Sequence, residues 1–169
     1  MGKRSNFERN PRDYYPTPEE AVKPLIPHVG KARTFYEPCA GDGRLVQHLE
    51  KHGLTCTGAM DIEPMADGIE RGDAMWINNT NQADMIITNP PWDRKILHPM
   101  IERFTNYAPT WLLFDADWMH TKQSAEHMKY CKKVVSIGRV KWFGNMTGKD
   151  NCCWYLFDNK PTKTVFIGR

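Results

Sequence analysis

Asp84-Met85-Ile86-Ile87-Thr88-Asn89-Pro90-Pro91-Trp92 decides the fold of this 169-residue chain. Its first half is a short apolar run of β-branched type, which reads as a buried strand. Its second half stops that strand abruptly. Two prolines in succession remove two N–H donors and force an extended exit from the sheet. The segment therefore offers acceptors without donors. The Asn89 side-chain oxygen and the Pro90 carbonyl can both face one point, which suits an amino group, and Trp92 offers a flat face on which a base can stack.

Working outward, the same strand–turn–helix grammar repeats. Residues 34–37 read as a strand closed by Pro38, and Gly41-Asp42-Gly43 turns the chain into a helix over 44–52, ended by Gly53. Residues 55–60 are a second strand ending at Asp61. A weaker strand or turn is expected near 72–76. Residues 94–106 read as a helix, 111–114 as a strand and 119–131 as a helix. Residues 134–142 and 152–157 pair as a hairpin, and 164–167 add an edge strand. Before all of these, Thr17-Pro18-Glu19-Glu20 reads as a helix start with Thr17 as N-cap, and the helix over 18–29 kinks at Pro24. Strands alternating with helices imply an α/β, mostly parallel sheet with helices on both faces and a C-terminal antiparallel hairpin.

Ligands of such sheets bind at the carboxyl ends of the strands. That rule singles out Glu37 to Gly43, Asp61, Asp73 and Asn89 to Trp92. The Glu37-Pro38-Cys39-Ala40-Gly41-Asp42-Gly43 turn lets a ligand approach the backbone, or is simply a turn. It is not G-x-G-x-x-G, which disfavours a dinucleotide site. Asp61 is placed to accept from two ribose hydroxyls, or caps a helix. Asp73 faces an adenine amino group, or is a turn residue.

Composition sets the frame. Hydrophobic residues make up 40% and charged residues 25% of the chain, as in a globular domain. No run approaches the roughly 20 apolar residues of a membrane span, and the N-terminus lacks a signal-peptide pattern. The five cysteines form no C-x-x-C pair and read as reduced core thiols. A cytoplasmic protein is expected, with a flexible basic arm over 1–13 and one domain over 14–169. Of the six histidines, His48 and His52 alone stand four apart, which fits helix packing better than a metal, so no metal is expected.

Charge is distributed unevenly. Residues 34–93 hold ten acidic and three basic side chains, whereas 129–149 hold six basic ones and no acid. The loop of the terminal hairpin, with Lys141, Trp142, Asn145, Lys149 and Asn151, mixes charge, an aromatic ring and amides. Such residues suit phosphate and a few base contacts. Solvated surface lysine is the plainer alternative.

The strand-end residues, in this order, resemble the S-adenosylmethionine-dependent amino-methyltransferases, most closely the phage-type N6-adenine DNA methyltransferases. The likeness covers about residues 14–115. It implies a Rossmann-like methyltransferase fold. It implies S-adenosylmethionine contacts from Tyr15, Thr17, Glu37, Cys39, Ala40, Gly41, Gly43, Asp61, Ile62, Asp73, Ala74 and Asn89, with S-adenosylhomocysteine as product. Asn89, Pro90, Pro91 and Trp92 match the family's catalytic motif. Three departures stand out. The aromatic is Trp92, where Tyr or Phe is more frequent. The glycine loop opens Glu37-Pro38-Cys39-Ala40, where Asp and a bulky apolar residue are usual. No large target-recognition domain is present. The resemblance implies methyl transfer to adenine N6 in DNA, with the target base flipped out and with short or relaxed sequence specificity. The working form is a monomer or homodimer, in the host cytoplasm if phage-encoded. Alternatives are an RNA methyltransferase (adenine N6 or guanine N2), a protein-glutamine methyltransferase, or an inactive nucleotide-binding module.

Overall fold

The computed structural model describes residues 14–144 and 148–169. The expected basic arm over 1–13 and the loop residue Asn145 lie outside them.

The described residues form one eight-stranded sheet. Its strands are β1 (Thr34–Glu37), β2 (Thr55–Asp61), β3 (Glu70–Arg71), β4 (Met85–Thr88), β5 (Thr110–Asp115), β6 (Cys131–Arg139), β7 (Asn151–Phe157) and β8 (Val165–Ile167). The order across the sheet is β3-β2-β1-β4-β5-β7-β6-β8. β7 runs antiparallel to both β5 and β6, while the other pairings are parallel. The chain leaves β1 toward one edge and returns at β4 to build toward the other. The topological switch therefore falls between β1 and β4, where a crevice opens at the strand ends.

Period-two alternation builds two cores, one on each face. Phe35, Met85, Ile87, Trp111, Leu113 and Trp154 point to one face, and pack with Ala21, Val22 and Leu25 and with Leu45 and Leu49. Tyr36, Ile86, Leu112, Phe114, Cys153 and Tyr155 point to the other, under Leu97, Met100, Ile101 and Phe104. The covering helices are α1 (Glu19–Val22) and α2 (Arg44–Lys51) on the first face and α3 (Arg94–Thr105) on the second. Two clamps fix the register. Asp84 accepts from the amides of Arg33 and Thr34 at 2.7 and 3.0 Å, locking the starts of β1 and β4 together. The Trp154 indole donates to the Ala21 carbonyl at 2.7 Å and ties α1 to β7.

Three local expectations are corrected and one is resolved. The helix over 18–29 is α1 followed by a separate 3₁₀ turn, Ile26–His28, because Pro24 and Pro27 each lack the N–H that a continuous helix needs. Thr17 does not cap α1; the N-cap is Pro18 and carries no side-chain bond. Of the strand or turn expected near 72–76, the turn forms, as the 3₁₀ turn Ala74–Trp76, and a short strand, β3, lies just before it. The helix over 119–131 is two 3₁₀ turns, Ala116–His120 and Lys122–Ser124, then one short helix, α4 (Ala125–Met128). Asp115 and Thr121 cap these turns and divide the run, and β6 begins at Cys131, earlier than expected. No helix among the described residues is long and apolar enough to cross a membrane.

Candidate active site

A cleft of about 1230 Å³ opens at the carboxyl ends of β1, β2 and β4. Adjacent strands β1 and β4 bring Glu37 and Asn89 to its floor, although 52 positions separate them in the chain. Tyr15, Thr17, Glu37, Cys39, Ala40, Gly41, Asp61, Ile62, Asp73, Ala74, Asn89 and Pro91 all line it. Gly43, Pro90 and Trp92 do not. Gly43 borders a smaller hollow on the other side of the turn. Pro90 is buried, and Trp92 packs beside Asn89 among other rings.

The glycine turn has the conformation its residues require. Gly41 and Gly43 both take positive φ, at 54° and 76°. A Cβ on Gly41 would meet the Tyr14 ring at 3.0 Å. The turn is held by Asp61, whose two oxygens accept from the amides of Gly41 and Glu63, each at 2.8 Å. Asp61 thus has a structural task, and each oxygen keeps a lone pair for a hydroxyl. Asp73 caps the 3₁₀ turn by accepting from the Met75 amide at 2.9 Å, so its turn role is realised at the cleft wall.

Glu37 is the electrostatic anomaly. It is 0% exposed, and neither carboxylate oxygen has a hydrogen-bonding partner of good geometry. Burial pushes its pKa up to about 8, and the nearby Asp61 charge adds to this. The Thr88 hydroxyl and the Cys39 amide approach closely enough to offset part of the rise, but Thr88 Oγ1 itself remains unpartnered. An unpaired buried carboxylate costs free energy unless a donor reaches it. Such a group in the wall of a cleft fits a ligand carrying an ammonium group. Burial likewise lifts the Cys39 thiol well above its ordinary range, so it remains neutral.

Asn89 is fixed by three side-chain bonds. Its Nδ2 donates to the Tyr15 carbonyl at 2.9 Å and to Thr17 Oγ1 at 3.2 Å, and its Oδ1 accepts from the Trp92 indole at 3.2 Å. This network assigns which end of the amide is oxygen. It also explains why Thr17 caps no helix: its hydroxyl is turned to Asn89 and only 4% of the residue is exposed.

Two expectations about rings are corrected. Trp92 does not stand open in the cleft; it stacks on Tyr15 at 6.2 Å and meets Trp142 edge-on at 5.8 Å. Trp142 is not an exposed loop aromatic; it is 8% exposed and belongs to the core, because apolar rings from three segments pack together there. Lys141, Lys149 and Asn151 are exposed. Several lining residues escaped the sequence reading: Met65, Arg71, Lys95, Ile96 and Pro99. Tyr14, which opens the 14–18 segment that the family resemblance places at the cofactor, also lines the cleft, and burial with a bond to Asp42 lifts its phenol to about 12. No group of three or more His, Cys, Asp or Glu that could hold a metal occurs among the described residues.

No family model matches the sequence, and no curated protein matches it. Solved structures do. A protein assigned as an RNA methyltransferase from Pyrococcus horikoshii superposes with a TM-score of 0.68 over 94% of each chain, at 17% identity. A dimethyladenosine transferase from Plasmodium falciparum gives 0.58 at 14% identity, covering 88% of this chain and 63% of that one. A protein assigned as a modification subunit of a type I restriction enzyme from Vibrio vulnificus gives 0.52 at 12% identity, covering 92% of this chain and 47% of that one. With its strand order, its antiparallel seventh strand and its cleft at the β1–β4 switch, the chain has the Rossmann-like methyltransferase fold.

Proposed function

We propose that this protein is an S-adenosylmethionine-dependent methyltransferase that methylates the N6 amine of adenine in DNA, with short or relaxed sequence specificity. The observation that carries the proposal is the pairing of Glu37 and Asn89 in one cleft: a buried carboxylate awaiting a cation, and beside it an amide locked in one orientation. S-adenosylmethionine, when bound, supplies an electrophilic methyl group on a sulfonium.

The chain's own residues do the rest. Glu37 would take the ammonium of the methionine part, and Asp61 and Asp73 the ribose and adenine. An exocyclic amine is a poor nucleophile because its lone pair is delocalised into the ring. Asn89 Oδ1 has two lone pairs, of which Trp92 uses one. The other can accept one amine N–H, and the Pro90 carbonyl can accept the second. Both acceptors sharpen the nucleophile and stabilise the positive charge that develops on nitrogen. The fixed orientation of the Asn89 amide supplies the positioning. The extra proton can leave afterwards, so no general base is needed before attack. A target base in a duplex must first be flipped out, at a cost of roughly a few kcal/mol.

The type I modification subunit among the neighbours supports a DNA substrate; the P. horikoshii protein, matched over 94% of both chains, favours RNA as the second reading. Incubation with methyl-labelled cofactor and either polymer, followed by nucleoside analysis, tests both. N6-methyldeoxyadenosine is the expected product. N6-methyladenosine in RNA alone, N2-methylguanosine or no transfer at all would overturn the proposal.

A further inference from the structure

Trp142 and Phe143 are neighbours in the chain with opposite fates. Trp142 is 8% exposed and Phe143 is 44% exposed. The indole is an anchor. The Gly148 amide donates to the Val140 carbonyl at 2.8 Å, and a Cβ on Gly148 would meet both that carbonyl, at 2.9 Å, and the indole, at 3.1 Å. Val140, Trp142 and Gly148 thus pack tightly together, while Phe143 is left exposed.

One exposed phenylalanine is ordinary on a protein surface. The position of this one is not. Its ring lies 5.9 Å from that of Tyr15, which stacks on Trp92 at 6.2 Å. Tyr15 also accepts from Asn89 through its carbonyl, and Trp92 donates to Asn89 through its indole. An unbroken series of rings therefore runs from the surface to the acceptor amide. Exposed basic side chains flank it in the chain, Arg139 and Lys141 before it and Lys149 after it, whereas Lys129, Lys132 and Lys133 stand at the other end of β6. Aromatic faces interleaved with positive charge are what a polynucleotide strand binds, rings taking bases and lysines taking phosphates.

We infer that Phe143 is a stacking platform for the base of the nucleotide next to the target, so that the substrate is held as a strand and not as a single nucleotide. This rests on the nucleic-acid reading above. The platform discriminates little between bases, since every base offers a π-face. It thereby adds affinity for the strand without adding a long recognition sequence.

The test uses the full chain, S-adenosylhomocysteine, and 12-nucleotide single-stranded DNA and RNA probes containing one adenine. Phe143→Ala is expected to weaken probe binding roughly 5- to 100-fold, the range for one stacked base. Phe143→Tyr should restore it and Phe143→Leu should not, which separates stacking from simple apolar packing. Cofactor affinity should be unchanged in all three. Probe binding within twofold of wild type in Phe143→Ala, or full rescue by Leu, overturns the inference while leaving methyl transfer standing. A wild-type protein that methylates no polynucleotide overturns both.

Discussion

The Trp92 indole donates its N–H to Oδ1 of Asn89 at 3.2 Å. A tyrosine or phenylalanine in that position has no ring N–H to give. The bond means that this chain's departure at Trp92 is used structurally: it holds the acceptor amide from the side, while Tyr15 and Thr17 hold its other end. Asn89→Ala should therefore abolish transfer, with a loss of more than about 100-fold, comparable to removal of one preorganised oxyanion donor. It should also destabilise the fold by about 1–3 kcal/mol, since the Tyr15 carbonyl and Trp92 N–H lose their partner. Trp92→Phe should lose only about 2- to 10-fold in rate, the worth of one net hydrogen bond. Single-turnover transfer and urea denaturation of both variants measure this. Near wild-type transfer in Asn89→Ala would remove Asn89 from the chemistry.

Glu37 sets stability against binding. Its pKa is raised by burial from 4.5 to about 8, so the folded, empty protein keeps a proton that the unfolded chain releases. Stability should therefore be greatest below about pH 4.5 on this account and fall as pH rises toward 8, then level off. Glu37→Gln should flatten that slope and raise the midpoint of denaturation at pH 8, while weakening binding of S-adenosylhomocysteine by roughly tenfold or more, as expected for loss of a charge-assisted bond. Titration calorimetry in buffers of differing ionisation enthalpy adds a second readout. Binding of an ammonium-bearing ligand at pH 7 should release a proton from wild type and not from Glu37→Gln. A wild-type protein that releases no proton would show that Glu37 does not meet the ligand's cation.

How much of this could be read from the chain alone depended on how local the cause was. The ends of β1 and β4 are legible because a strand followed at once by proline, or by Asn-Pro-Pro, has few alternatives, and the sheet topology sends them, with the end of β2 at Asp61, to one place. α2 was legible for the same reason, with Leu45 and Leu49 buried as their spacing demands. α3 hid half of its information. The helix expected over 94–106 forms, but Lys95, Ile96 and Pro99 look like a solvent edge until β4 turns that edge into a cleft wall. The helix expected over 119–131 does not form as one piece because the chain breaks at Thr121 between two 3₁₀ turns and β6 begins at Cys131. The ring cluster had no local signature, since it gathers residues 15, 92, 142 and 143 from three distant segments.

Gly41 should tolerate no side chain. It combines a φ of 54° with a would-be Cβ contact of 3.0 Å to Tyr14. Gly41→Ala must pay for left-handed backbone and displace a ring that lines the cleft, so a loss of about 1–3 kcal/mol in stability is expected. The cofactor-binding measurement should suffer more than the fold, because the Gly41 amide is also the donor that holds Asp61 in place. Gly30→Ala is the control: that glycine has φ of 65° but no heavy atom within 4 Å of its would-be Cβ, and it lies away from the cleft. It should show the backbone cost alone. Equal cofactor binding in the two variants would deny Gly41 its part in the site.

The layer beyond α3 should respond to acid. The Trp118 indole donates to His98 Nε2 at 2.9 Å, which requires that nitrogen to be unprotonated. His127 lies 4.4 Å away, ring to ring, with the Glu102 carboxylate 3.3 Å from its Nε2, and Arg94 is the further positive group near His98. Burial, then the charges of His127 and Arg94, lower the His98 pKa, and Glu102 opposes them. A histidine whose folded pKa lies below its unfolded value of 6.5 contributes stability above that pH and loses it as pH falls. The urea midpoint should therefore drop as pH falls below about 6.5, and His98→Gln, which keeps an acceptor but does not titrate there, should lack that part of the drop. Identical profiles for the two proteins would mean that His98 charges freely and that its bond to Trp118 carries no weight in the fold.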